Sequence, residues 1–277
     1  MLSIHDHSRD GAGMKYVYPV VSRRAQGVSI GINLNVNNAC NWACIYCQVP
    51  DLERGGPPEI DLPRLEAELH DFFNTVVSGD FLQREVPSGF RRLVDVAFSG
   101  NGEPTSAWEF PEAVEIVGRQ MKEFGLLGGL KLRLITNGSL LHQLHVQQGI
   151  ARIGELQGEV WFKIDRGTSD GILRVNGSHT PPEKIRKAVS VCSKLAPTWI
   201  QTCLFSIDGA PIEAEEIDAY LELIASIRTR IEGVHLYGLA RPSRRPEAAR
   251  LSALNAESLS SFARRMAALD IRVITNP

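Results

Sequence analysis

The 277-residue chain reads as an α/β fold, a partial (β/α)6 TIM-like barrel with parallel strands. Two observations predict it. Six apolar, strand-like segments alternate with six amphipathic helical stretches. Such alternation implies parallel strands joined by right-handed crossovers. The loops richest in Cys, Gly, Asn and acidic residues directly follow strands, where a barrel of this kind carries its functional groups.

In chain order, residues 28–36 form the first strand, apolar with interspersed Asn and Ser, and it runs into three closely spaced cysteines. Asp61 caps a helix over 61–77, with Pro63 in the first turn, where a missing N–H does little harm. The second strand is 93–98, followed by a glycine-rich turn over 99–105 and a helix over 111–124. A third strand, 130–135, closes on Thr136, Asn137 and Gly138 before a helix over 140–156. The fourth strand is 159–165, and Pro181 and Pro182 open the helix that ends at Leu195. Strand 199–207, helix 213–231 and strand 234–239 complete the six repeats. A last helix, 256–269, and an apolar strand, 271–275, remain. With no low-complexity linker, residues 17–245 make one barrel domain. Residues 1–16 form a flexible tail, and 246–277 add a helix and strand that pack on the barrel and cap its open edge. Residues 51–59, with Gly55, Gly56, Pro57 and Pro58, form a loop placed to shield the cysteines.

Composition bounds the function. Hydrophobic residues make up 43% of the chain, enough for a sizeable core. The net charge is −2, so the balance gives no support to a protein built mainly to grip nucleic acid. Arg23 and Arg24, Arg91 and Arg92, Arg241 with Arg244 and Arg245, and Arg264 and Arg265 read as solvated faces, which neither admit nor exclude a tRNA-sized substrate. Five cysteines, an odd number, argue against a secreted disulfide framework and for a reducing compartment. The first ten residues lack the apolar stretch of a signal peptide, and no run approaches a membrane span. A cytoplasmic protein with no membrane partner is expected.

Cys40, Cys44 and Cys47 are spaced C-x3-C-x2-C. Three thiols in eight residues are a ligand set that lacks a fourth member. A structural zinc site takes four closed ligands, and an ordinary four-iron cluster takes four cysteines. A cluster held by three leaves one iron open to something that is not protein. The alternative is a zinc knuckle completed by histidine. His5 and His7 lie in the polar tail, and the next histidine downstream is His70, inside a predicted helix. Cys192 and Cys203 stand singly in apolar segments and read as buried thiols. Lys163 and Asp165 flank Ile164 on the fourth strand, so both face the barrel interior. An interior pair is expensive unless compensated, which points to a ligand or substrate role or to a structural ion pair. Gln201 points inward by the same alternation, and Arg241 is at the level of an anionic substrate group or is an ordinary surface arginine.

With Tyr46 directly before Cys47, the cysteine motif resembles the signature of the radical S-adenosylmethionine (SAM) superfamily. The likeness extends over residues 17–245 through the segments 19–24, 31–33, 98–105, 134–140, 162–165, 200–202 and 236–242. It is closest to a subset of iron–sulfur oxidoreductases related to the wyosine-forming tRNA enzymes. The resemblance implies a radical SAM core in which Cys40, Cys44 and Cys47 ligate a four-iron, four-sulfur (4Fe-4S) cluster and Tyr46 lies against the adenine of S-adenosyl-L-methionine. Gly100, Asn101, Gly102 and Glu103 resemble the glycine-glycine-glutamate element that meets the methionyl amine, with Asn101 standing where the second glycine is usual. Thr136 and Asn137 would lie near the SAM ribose or carboxylate, and Leu239, between Gly238 and Ala240, would edge the adenine. Lys163, Asp165, Gln201 and Arg241 are the residues expected to act on SAM or substrate.

The implied reaction is reductive cleavage of SAM to a 5′-deoxyadenosyl radical that takes a hydrogen from a small-molecule or RNA substrate. A flavodoxin- or ferredoxin-type one-electron donor would be the partner. A non-catalytic iron–sulfur or zinc-binding protein and SAM-dependent methyl transfer are the alternatives. No cysteine upstream of Cys40 offers a second cluster, which sets the chain apart from tRNA-modifying relatives that carry one.

Overall fold

The computed structural model describes Leu2 and residues 13–22, 26–239 and 241–276. His5, His7, Arg23, Arg24 and Ala240 lie outside these residues, as does most of the expected N-terminal tail. The first element is β1 (Val17–Ser22), antiparallel to β2 (Gly27–Ile32), with Val17 opposite Ile32. Two-residue strands β3 (Ala39–Cys40) and β4 (Glu53–Arg54) pair in parallel and draw together the ends of the cysteine loop. Helix α1 (Leu62–Val77) starts on Asp61, whose side chain accepts from the Arg64 N–H, and the short α2 (Phe81–Glu85) follows.

From there strand and helix alternate. Strand β5 (Leu93–Phe98) leads to α3 (Phe110–Glu123), β6 (Lys131–Thr136) to α4 (Leu144–Glu155), and β7 (Glu159–Lys163) to α5 (Ser169–Asn176) and α6 (Pro182–Leu195). Strands β8 (Thr198–Cys203) and β9 (Phe205–Ile207) precede α7 (Ala214–Ile227). The chain ends with β10 (Gly233–Tyr237), β11 (Leu251–Ala253), α8 (Ala256–Ala267) and β12 (Val273–Asn276).

Eight strands form one curled half-barrel in the order β1-β2-β5-β6-β7-β8-β10-β12, and every pairing except β1 with β2 is parallel. The six strands expected from the hydrophobic pattern are its centre. Three features differ from the expectation. Strand β1 was not expected; it carries Pro19, which only an edge strand tolerates, and it sits at the sheet's edge. The segment expected as one strand over 199–207 breaks at Leu204, and β9 leaves the sheet to pair antiparallel with β11. Helix α5 (Ser169–Asn176) fills a stretch to which the sequence reading assigns no element. Its eight residues are too few for a clear apolar period, but its ends are well marked: the Thr168 side chain accepts from Gly171 N–H, and Gly177 takes the left-handed conformation at φ +61°. The terminal strand joins the sheet itself, pairing in parallel with β10.

Side-chain alternation gives the sheet two unlike faces. Val96, Phe98, Leu132, Leu134, Val160, Phe162, Ile200, Val234 and Leu236 are buried in the main core with the helices; Phe98 meets Phe110 of α3 edge-on at 5.6 Å. The other face is polar and aromatic. Arg133 pairs with Asp95 and with Glu159 and covers the Trp161 ring at 4.7 Å. His235 lies between Trp161 and Trp199, at 4.5 and 4.7 Å, and Arg272 covers Trp199 at 5.1 Å. Among the described residues, no helix is long and apolar enough to cross a membrane.

At the edge, the Tyr18 ring covers Gly31 of β2, and its hydroxyl meets Ser99 Oγ at 2.8 Å. A Cβ on Gly31 would lie 2.1 Å from the ring, so only glycine leaves room for the tyrosine. Gly31→Ala is expected to destabilise the fold by about 1–3 kcal/mol through overpacking. The check is the urea unfolding midpoint; an unchanged midpoint would show that the edge strand yields freely.

Candidate metal and cofactor site

The cysteine loop leaves the end of β2, and two buried asparagines shape its entry. Asn33 Oδ1 accepts from the N–H groups of Asn35 and Asn101, at 3.1 and 3.0 Å. Asn35 Nδ2 donates to Ala39 carbonyl at 3.0 Å and to Ser106 Oγ at 3.3 Å. The turn after β5 thereby docks on the turn after β2. Gly100, at φ +143°, has a backbone conformation that other residues rarely adopt. A Cβ on Gly102 would strike the Ala39 carbonyl and Asn35. Asn101 donates through Nδ2 to Asn38 Oδ1 at 2.6 Å, and its own Oδ1 is buried with no hydrogen-bond partner.

Glu103 is 3% exposed. One carboxylate oxygen accepts from the hydroxyls of Thr105 and Thr136, each at 2.6 Å, and the other from Asn137 N–H at 2.6 Å. Burial raises its pKa against the pull of these donors. Its side chain thus joins the turns after β5 and β6 to each other. Asn137 Nδ2 continues the chain to Asn41 Oδ1 at 2.8 Å, next to Cys40, and Asn41 Nδ2 donates to Ser139 Oγ at 2.8 Å.

On the far side, the cysteine loop is held by α5. Ala43 and Ile45 N–H groups donate to the carbonyls of Asn176 and Val175, at 3.0 and 2.9 Å. Arg54 donates to the carbonyls of Asn41 and Gly177. Residues 241–245 clasp it from a third direction. Ser243 Oγ donates to the Ile45 and Cys47 carbonyls, at 2.7 and 3.0 Å, Arg244 N–H donates to Cys47 carbonyl at 2.8 Å, and Arg241 carbonyl faces Gln48 Nε2 at 3.5 Å.

The remaining expected residues gather behind the loop. Tyr46 donates its hydroxyl to Asp165 at 2.5 Å, its ring tilts against Phe205 at 5.4 Å, and Lys163 Nζ lies 5.1 Å from the ring centre. Asp165, its side chain fully buried, also accepts from Asn176 Nδ2 at 2.7 Å and Cys203 N–H at 2.9 Å. Lys163 Nζ is 3.9 Å from Asp165 and 3.0 Å from the Tyr237 hydroxyl. Burial pulls the Lys163 pKa down, but the charge of Asp165 and the flanking phenol outweigh it and hold the ammonium above its usual range. Gln201 lies beside Lys163 in the β7–β8 register, with His235 on its other side. Leu239 packs with Ile45, Tyr46 and Tyr237 around Val175, Cys203 and Phe205.

Cys40, Cys44 and Cys47 are free thiols, each partly exposed. As the described residues stand, no group of three or more His, Cys, Asp or Glu side chains is arranged to hold a metal ion. The donor chemistry of the loop nevertheless fits a cationic centre. Burial pushes the thiols of Cys40 and Cys44 up to about 11 and about 12, and a bound cation would favour their thiolate forms. Two N–H groups already face the sulfurs: Trp42 N–H at 3.5 Å from Cys40 Sγ and Asn176 Nδ2 at 3.3 Å from Cys44 Sγ. In the turn after β5, the buried and unpartnered Asn101 oxygen is an acceptor available to a cationic ligand group.

Asn33, Asn35, Asn176, Tyr237 and Ser243 were not singled out from sequence. Asn and Ser near strand ends read as ordinary turn residues. Only the Asn176–Gly177 pair carried a local signal, that of a helix end.

No protein-family model matches the chain. It is similar to two curated Helicobacter pylori proteins, each described as a UPF0026 protein. The one from strain 26695 is 32% identical over 233 residues and the one from strain J99 is 26% identical over 231, each alignment covering 81% of this chain. The chain spans 66% of the length of these relatives. Among solved structures, a radical SAM methyltransferase from Sphaerobacter thermophilus superposes with a TM-score of 0.60 at 15% identity, over 94% of this chain and 68% of that one. Coproporphyrinogen III oxidase from Escherichia coli, a radical SAM enzyme, gives 0.51 at 10% identity, over 86% of this chain and 51% of that one. The chain therefore has the curled, mostly parallel half-barrel fold of these radical SAM enzymes.

Thr136→Val keeps the side chain's shape and deletes one donor to the buried Glu103 carboxylate. It is expected to cost about 1–3 kcal/mol, since a buried charged acceptor loses a partner. Urea unfolding measures it, and a loss below that range would mean that Glu103 is satisfied from elsewhere.

Proposed function

We propose that the chain is a radical SAM enzyme in which Cys40, Cys44 and Cys47 hold a 4Fe-4S cluster and SAM binds across the ends of β5, β6, β7 and β10. One observation carries the reading. Three free thiols share one short loop with N–H donors facing two of the sulfurs, and the turn carrying Gly100 and Gly102 packs closely against Asn33, Asn35 and Ala39 at the entry to that loop. Bound there, the cluster and SAM supply a one-electron cleavage that delivers a 5′-deoxyadenosyl radical to a small-molecule or RNA substrate.

The chain's own residues orient and insulate. The backbone of 100–102 and the Asn101 oxygen receive the methionyl ammonium. Glu103, spent on Thr105, Thr136 and Asn137, fixes the shape of that turn from below. Tyr46 and Leu239 form an apolar wall for the adenine, backed by Phe205 and Val175. Lys163 supplies a permanent positive charge toward the SAM carboxylate or an anionic substrate, while Asp165 steadies it. Gln201, level with Lys163, and Arg241, beside the cysteine loop, complete the substrate side. A flavodoxin- or ferredoxin-type protein supplies the electron.

Anaerobic reconstitution with iron and sulfide, reduction and addition of SAM are expected to yield 5′-deoxyadenosine by mass spectrometry. A colourless preparation carrying zinc would overturn the reading, and S-adenosylhomocysteine in place of 5′-deoxyadenosine would point to methyl transfer. Replacing Cys40, Cys44 or Cys47 by Ala is expected to abolish the four-iron cluster, measured as iron per chain and visible absorbance. Lys163→Met is expected to keep the iron and lower the 5′-deoxyadenosine yield about tenfold or more, the scale of a lost hydrogen bond to a charged group. An unchanged yield would remove Lys163 from the site.

A further inference from the structure

We infer that Asn176 is a positioning residue that sets the reduction potential of the cluster through a hydrogen bond to Cys44, an inference that rests on the cluster assignment above. Its Nδ2 lies 3.3 Å from Cys44 Sγ and 2.7 Å from Asp165 Oδ2. The side chain is on the last residue of α5 and is 1% exposed, so water does not compete for these contacts.

The amide's orientation is fixed by its second partner. Asp165 already receives the Tyr46 hydroxyl and the Cys203 N–H and presents acceptor oxygens to Asn176. The Asn176 group facing it is therefore NH2 and not the carbonyl oxygen. Its two hydrogens serve two acceptors, one on the carboxylate and one on the sulfur. The backbone holds the donor in register with the loop: the carbonyls of Asn176 and Val175 accept from Ala43 and Ile45, the residues on either side of Cys44. Gly177, in its left-handed turn, lets the chain leave without a Cβ pressing on Ala43 and Arg54.

A donor aimed at a cluster thiolate favours the reduced, more negative state over the oxidised one, which raises the potential. Helix α5 thus does more than connect β7 to α6: it carries a dedicated donor to one ligand. Cys40 receives a backbone N–H instead, from Trp42.

The test is a redox titration of the reconstituted cluster, followed by electron paramagnetic resonance, in the wild type, Asn176→Leu and Asn176→Ser. Asn176→Leu is expected to retain four irons and to lower the reduction equilibrium constant about tenfold, a downward shift of ~59 mV for one electron. Asn176→Ser, whose hydroxyl is too short to serve both acceptors, is expected to shift in the same direction. Full iron with an unmoved potential in both variants overturns the inference and leaves the cluster assignment standing. Absence of any four-iron cluster in the wild type overturns the assignment itself. If neither variant keeps its cluster, the wild type with 15N-labelled asparagine side chains decides. A 15N coupling on the reduced cluster supports the inference, and its absence overturns it. Asn41 does not confuse the reading, because its Nδ2 is turned to Ser139.

Discussion

The architecture around the cysteine loop depends on satisfying one buried carboxylate. Asp165 has no exposed side-chain surface, and a carboxylate so placed must be hydrogen-bonded or paired. Its donors come from three separate parts of the chain: Tyr46 in the cysteine loop, Asn176 at the end of α5 and the Cys203 N–H at the end of β8. Meeting that demand fixes where the loop, the helix and the strand end stand relative to one another. Lys163 adds the compensating charge at 3.9 Å, and Tyr237 ties it to β10. Loss of any one donor leaves the others holding a charge they cannot fully solvate.

Glu103 repeats the arrangement on the opposite side of the loop. It too is buried, and it too collects its donors from two strand ends. Between these two carboxylates the cysteine loop is bounded by fixed hydrogen bonds, with Asn33 and Asn35 below and Ser243 above. Fixed surroundings would suit a charged guest, because dipoles already in place need no reorganisation when a charge arrives. The polarity of the concave face has the same character: Arg133 is held between Asp95 and Glu159 on its floor.

Much of this was legible in the sequence. Strands β5, β6, β7 and β10 and helices α1, α3, α4 and α6 are long and regular, and their apolar period survives in the primary structure. Strand β1 escaped because proline and a tight edge pairing mask its pattern. Helix α5 escaped because its burial rests on few residues, Ile172, Val175 and Asn176. At the site, residues whose type declares their chemistry stood out, above all the three cysteines. Asn176 did not: its contact with Cys44 joins positions 132 residues apart, and an asparagine before a glycine announces only a helix end. Glu103 was legible as a conspicuous acid, while the internal destination of both its oxygens emerges only from the folded turns.

The four tryptophans stand in sharply different surroundings. Trp42 lies inside the cysteine loop, buried, while Trp108 is 75% exposed and stacks on His145. Trp161 and Trp199 enclose His235 on the concave floor, each capped by an arginine. Intrinsic emission from this protein is therefore a sum of separable reporters. An iron centre bound in the loop would quench Trp42 by energy transfer, and a molecule entering the concavity would perturb the Trp161–Trp199 pair. Trp108 supplies a solvent-tuned background against which both are seen. The proposed loading of the loop and occupancy of the hollow would thus be readable from the protein's own emission, with no attached dye.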